Sequence, residues 1–143
     1  MSRGRSWGRL RGWALWDEKL ERWGDAAKRP GVYLLAHFKG TPPREMDTTD
    51  KRIIYIGETC AKGGLRSRWV KFAQAAFRGK RGHSGGDTYW KLFHGKHRDR
   101  LYVAFATPRD DEVVLPFRIK FLERKWILDY VLTHGHPPCC NSE

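Results

Sequence analysis

Two tyrosines, an arginine and a glutamate are the residues of this chain whose types and spacing could do chemistry. Tyr33 closes the tripeptide Gly31-Val32-Tyr33, and Tyr55 opens Tyr55-Ile56-Gly57. Each tripeptide sits inside a strand-like apolar run, so two phenols and two close-packing glycines fall on neighbouring strands. A free phenol titrates near pH 10. It can take a proton near neutrality only with help from a cation or a metal. The second tripeptide continues through Glu58-Thr59 and Lys62-Gly63-Gly64 into Leu65-Arg66-Ser67-Arg68-Trp69. A strand, a glycine-rich loop and a helix start make an anion site, because the first N–H groups of a helix are free. Gly57, Lys62 and Arg66 belong to that stretch, and Lys71 lies one turn further on. Arg68 stands beside the helix's apolar stripe and can reach back over the sheet; the plain alternative is a surface arginine. In the last helical stretch Glu123 has Ile119, Trp126, Ile127 and Lys120 three or four positions away. A carboxylate on an apolar face is paired, protonated or metal-bound. A structural ion pair with Lys120 or an arginine competes there with a single carboxylate holding Mg²⁺.

The chain has 143 residues, with 28 Lys+Arg against 16 Asp+Glu and a formal net charge of +12. That excess points to a polyanionic partner: DNA, RNA or an acidic membrane surface. No apolar run approaches the ~20 residues of a spanning helix, and residues 1–7 lack the apolar stretch of a secretory signal. Cys60, Cys139 and Cys140 are an odd count with two adjacent. They are no disulfide framework, and a reducing, cytoplasmic setting fits them. His134, His136, Cys139 and Cys140 cluster in sequence, but their spacing is poor for zinc; thiols buried under Asn141 are the better reading. Seven tryptophans read mainly as core, with one or two at most free to stack on bases.

The positioning elements follow from periodicity. Residues 1–12 (Arg3, Arg5, Arg9, Arg11) read as a basic arm, and residues 13–27 as an amphipathic helix carrying Trp13, Trp16, Leu20 and Trp23. Strands are expected at 31–38 and 52–58, joined as an antiparallel hairpin across a polar loop at 39–51. A helix follows over 65–77 with Leu65, Trp69, Phe72 and Ala76 inward. Residues 79–88 read as a glycine-rich loop in which Gly82-His83-Ser84-Gly85-Gly86 is either a flexible turn or a phosphate-contacting loop. A short helical or irregular stretch at 89–93, a third strand at 101–106 and a helix from Pro116 to His134 complete the chain. The expected fold is a small α/β (α+β) domain: a three-stranded antiparallel sheet flanked by helices, with residues 1–29 as arm and helix and 30–143 as the domain proper.

In order and spacing, these residues resemble the GIY-YIG nuclease family. Gly31-Val32-Tyr33 stands for its first tripeptide, with Val for the usual Ile, and Tyr55-Ile56-Gly57 for its second. Leu65-Arg66-Ser67-Arg68 matches its helix signature, Glu123 its late glutamate, and Asn141 its terminal asparagine. The resemblance covers residues 30–141 and implies a GIY-YIG-like fold and phosphodiester hydrolysis with one divalent metal, Mg²⁺ or Mn²⁺. It implies Tyr55 as general base or water-orienting group, Tyr33 as its support, Arg68 on the scissile phosphate, Glu123 on the metal and Asn141 fixing geometry. Some members carry His or Tyr one turn after the arginine; here that position is Phe72, and Lys71 or His83 would have to serve. The expected partner is DNA, single- or double-stranded, with RNA as the alternative substrate. The chain would act as monomer or homodimer, without a membrane. The rival reading is a non-catalytic nucleic-acid-binding module of the same fold.

Overall fold

The computed structural model describes residues 8–141. Its strands are β1 (Arg11–Leu15), β2 (Gly31–His37), β3 (Ile53–Thr59) and β4 (Leu101–Ala106); its helices are α1 (Lys19–Trp23), α2 (Gly64–Arg78), α3 (Ser84–Phe93) and α4 (Leu115–His134). One antiparallel sheet runs in the order β1-β4-β2-β3, leaving β3 at an edge. The sheet has four strands, not the three expected.

The extra strand comes from residues assigned to the basic arm and a helix. Trp13 and Trp16 are three apart, which suits one face of a helix, but an odd spacing also sends residues to opposite faces of a strand. The second pattern holds. Trp13 packs edge-on against Phe38 at 5.0 Å on one side of the sheet, and Trp16, just past β1, against Phe72 at 5.3 Å on the other. Only Lys19–Trp23 of the expected 13–27 helix is α-helical, with a turn at Ala26–Lys28. Arg11 is not part of a free arm: it pairs with Phe105 in the sheet and lays its guanidinium over Trp23, 5.5 Å from the ring centre. Arg3 and Arg5 lie outside the described residues.

The central strand β2 is buried on both faces, and its alternation sorts the core in two. Tyr33 and Leu35 face α2 and α3 with Trp16, Tyr55, Trp69, Phe72, Tyr89 and Phe105. Val32, Leu34 and Ala36 face α4 with Ile53, Ile56, Ile119, Leu122 and Trp126. The expected α2 stripe of Leu65, Trp69, Phe72 and Ala76 is fully inside. Helix α2 starts at Gly64, whose φ is +70° and whose Cβ, were there one, would lie 2.2 Å from the Lys28 carbonyl oxygen. Glycine is required there twice over.

Residues expected as a loop at 84–88 open helix α3. The pair Gly85-Gly86 suggests flexibility, but its glycines serve close approach. A Cβ on Gly85 would lie 2.4 Å from the Tyr55 ring, and one on Gly86 2.7 Å from Ala75 Cβ. Helix α4 starts where expected: Asp111 accepts from the N–H groups of Val113 and Val114, both at 3.0 Å, and Pro116 sits in the first turn. Gly135, left-handed at φ +84°, ends it. Among the described residues no helix is long and apolar enough to cross a membrane.

Candidate functional site

The chemistry-bearing side chains gather around the outer edge of β3, where both faces of the sheet are within reach. From the ring face come the phenols. Tyr33 lies opposite Gly57 in the β2–β3 ladder, and the Tyr33 and Tyr55 ring centres are 5.8 Å apart. A Cβ on Gly57 would fall 2.4 Å from Tyr55 and 2.9 Å from Tyr33, so the glycine makes room for both rings. Gly31 allows a different approach: its Cβ would lie 2.3 Å from the Ala106 carbonyl oxygen across the sheet.

Tyr33 is fully buried, and its hydroxyl meets His83 Nε2 at 2.9 Å. His83 Nδ1 accepts the N–H of Gly86 at 3.0 Å, capping α3. The proton of the neutral imidazole therefore sits on Nε2 and is donated to Tyr33. Burial, then the Arg68 charge, pushes His83 down to about 3, so it stays neutral. Burial holds the Tyr33 phenol well above its usual range; Tyr55 adds to the rise, and Arg68 pulls the other way. Tyr55 is also raised by burial, opposed by the Arg68 charge and a Ser84 hydrogen bond, while Glu123 and Glu58 add to the rise. Arg68 is thus the cation shared by both phenols.

From the α4 face come the carboxylates. A groove of about 450 Å³ is lined by Tyr55, Glu58, Ser84, Glu123, Arg124 and Asn141, among others. Lys120 does not pair with Glu123; its Nζ sits 3.6 Å from Glu58 Oε2, and the Cys60 thiol donates to the other Glu58 oxygen at 3.6 Å. Glu123 meets Arg124 Nε at 3.6 Å, on a side chain 82% exposed. That contact is weak. Burial and then the Glu58 charge raise the Glu123 carboxyl, with Arg124 and Lys120 opposing. A divalent cation would relieve this half-buried, loosely partnered carboxylate. Among the described residues no three His, Cys, Asp or Glu converge. Glu123, with Glu58 behind it, is the carboxylate of this groove that could hold a divalent cation.

Asn141 closes the edge. Its Oδ1 accepts from the Ile56 N–H and its Nδ2 donates to the Ile56 carbonyl, both at 2.9 Å, while the Cys140 N–H donates to Ile54 at 2.7 Å. Lys62, Arg66 and Lys71 are exposed on or ahead of α2. His83 is not: it is 1% exposed, so it is no loop side chain for phosphate but the buried partner of Tyr33, packed edge-on against Phe72 at 5.3 Å. Of the residues weighed for zinc, Cys140 is buried and Cys139 exposed. Glu58 and Ser84 join the groove unannounced. Glu58 follows directly on the second tripeptide, but only the edge position of β3 brings it round to Glu123. Compared with known proteins, the chain matches no family model, no curated protein and no solved structure.

Proposed function

We propose that this chain is a metal-dependent nuclease of the GIY-YIG type that hydrolyses phosphodiester bonds, with DNA as substrate. The observation that carries the reading is the meeting at the β3 edge of a phenol pair sharing one arginine with a half-buried, loosely partnered carboxylate across a groove. The net charge of +12 supplies attraction for the strand. Arg68 binds the scissile phosphate and stabilises charge growing on its oxygens. Tyr33 keeps its proton: burial holds its phenol well above the usual range, and His83 donates to its oxygen. That leaves Tyr55, which lines the groove, as the phenol that orients the attacking water and takes its proton. Bound at Glu123, Mg²⁺ or Mn²⁺ would supply positive charge to the phosphate and leaving oxygens. Asn141 holds the backbone beside Tyr55 in place.

The test is cleavage of single-stranded DNA, duplex DNA and RNA with and without Mg²⁺, with Glu123→Ala and Arg68→Ala alongside. The expected result is metal-dependent cutting of DNA by wild type and none by either variant. Equal activity in wild type and Glu123→Ala would remove the catalytic assignment. Binding without cutting in all three would favour the non-catalytic module, and cutting of RNA alone would change the substrate.

A further inference from the structure

A second cleft, of about 470 Å³, is lined by His37, Lys39, Arg52, Phe93, His97 and Arg100. It lies at the opposite end of α3 from the tyrosine pair. His83 and Tyr33 meet at the start of that helix, whereas His37 packs against Tyr89 and Phe93 near its end. Five of the six residues carry or can gain positive charge. Among the described residues Lys39 and Arg100 have no carboxylate within ion-pair distance. Arg52 is held by Asp50 through Nε and Nη2, at 3.0 and 2.8 Å, which leaves Nη1.

Both imidazoles are fixed. The Tyr89 hydroxyl donates to the Lys96 carbonyl, so its oxygen accepts from His37 Nε2 at 3.0 Å. The Arg100 guanidinium donates to His97 Nδ1, which puts the proton of the neutral His97 ring on Nε2. The two rings stand 5.6 Å apart. His97 is held at φ +70°, a left-handed conformation that is strained for a non-glycine residue. Strain of this kind persists where the surroundings impose it, and it concentrates at ligand sites.

We propose that this cleft binds a phosphate group, held by the charges of Arg100 and Lys39 and by hydrogen bonds from His97 and Arg52. A backbone phosphate of a bound strand and a terminal or free phosphate share that chemistry. His37 is four residues from Tyr33 on the same face of β2, about 13 Å at ~3.3 Å per residue, or roughly four phosphates of one strand along a duplex axis. The cleft's own electrostatics ask for an anion. His37 is pushed down to about 4 by burial first, with the His97 ring and the Arg100 guanidinium adding to the fall and Asp99 opposing. Tyr89 faces it from α3, and Lys39 and the Arg52–Asp50 pair flank the cleft from the β2–β3 connection. A phosphate in the cleft supplies the missing countercharge.

The experiment titrates the full chain, without metal, with inorganic phosphate and then with short oligonucleotides bearing or lacking a 5′-phosphate. Imidazole resonances are followed by NMR and affinity by anisotropy. The His37 and His97 signals should move, and the His37 titration should rise by a unit or more. Lys39→Ala and Arg100→Ala should each weaken oligonucleotide binding about tenfold and reduce the salt slope by about one. A response confined to inorganic phosphate and the 5′-phosphorylated strand assigns a terminal or free phosphate; a response to the unphosphorylated strand too assigns the backbone. Unmoved imidazoles with all three ligands would overturn the proposal. So would losses no larger than that of Lys80→Ala, an exposed lysine on the connection after α2. Lys39 is exposed, so its variant keeps the test valid should Arg100→Ala release His97 and unsettle the fold. No readout uses cleavage, so the result stands whether or not the nuclease reading holds.

Discussion

On one face of the sheet Trp16, Trp69, Phe72, Tyr89 and Phe105 pack ring against ring beneath α2 and α3; on the other, Val32, Leu34, Ile53, Ile56 and Ala104 meet α4. The ring face contains polar atoms deep inside: Tyr33 is answered by His83 and His37 by Tyr89, whereas the buried indole N–H of Trp69 has no partner among the described residues. The α4 face is the more aliphatic, although Trp13, Phe38, Trp126 and Tyr130 also pack there, and Tyr130 reaches the Ile53 carbonyl at a loose 3.4 Å. Rings fill volume, and the Tyr, Trp and His rings among them bring polar atoms, so a face built of them can hold phenols in fixed protonation states. An aliphatic face does something else. It makes the low-dielectric flank that raises the Glu123 carboxyl. The candidate site lies where the two materials meet, at the β3 edge.

The largest effect expected from this contrast is on rate. Tyr55→Phe removes one oxygen from the groove and leaves the ring between Gly57 and Gly85. Cleavage should fall by about 10²–10⁴-fold with the thermal midpoint almost unchanged. Glu123→Gln, from the other face, should do the same through the metal requirement. Single-turnover cleavage with a melting curve checks both. A rate that survives either change would mean that one face alone does the chemistry.

The next effect is on acid stability, where the faces respond oppositely. His83 and His37 are held neutral in the fold, at about 3 and about 4 against an ordinary value near 6.5. Between those values and pH 6.5 the unfolded chain binds more protons than the native one. Their contribution is complete above pH 6.5 and lost as pH falls toward 3–4, on the order of a few kcal/mol together. Glu123 is raised instead, so its contribution weakens as pH rises. Urea midpoints from pH 7 to 4 should fall for wild type and fall less steeply for His83→Gln. Parallel curves would show that His83 is not held neutral by burial.

Much of this arrangement is legible in the sequence. Clean alternation and clear stops place β2, β3, α2, β4 and α4 within a residue or two. The odd spacing of Trp13 and Trp16 hides β1, because helix and strand both accept it. Gly85-Gly86 hides the first half of α3, because a glycine chosen for contact with Tyr55 and Ala75 looks like one chosen for freedom. Tyr55, Arg68 and Glu123 are visible as residue types on the expected elements. His83 is visible only as a loop candidate; its burial against Tyr33 depends on a contact spanning 50 residues, and the place of Glu58 depends on which strand is the edge.

Gly57→Ala tests whether the phenols are held by fit. The new methyl would meet two rings, one backed by Gly85 and the other fully buried, so neither has room to yield. A destabilisation of roughly 1–3 kcal/mol follows, with a displaced Tyr55 and lower activity. A neutral change in urea midpoint would mean that the rings are mobile, and the ring face would then not be the rigid one.

The smallest effect should come from Asn141. Its amide makes two bonds to Ile56 at a strand edge that would otherwise face water, so water can replace them. Asn141→Ala should therefore cost only about 1 kcal/mol. Its effect on cleavage should be larger than that figure implies, because Ile56 lies between Tyr55 and Gly57 and the edge backbone sets where Tyr55 meets the groove. Amide exchange at Ile56 separates the two contributions. Faster exchange with a matching fall in rate would place Asn141 as a positioning residue for the junction of the two faces. Faster exchange with an unchanged rate would mean that packing on the ring face alone places Tyr55.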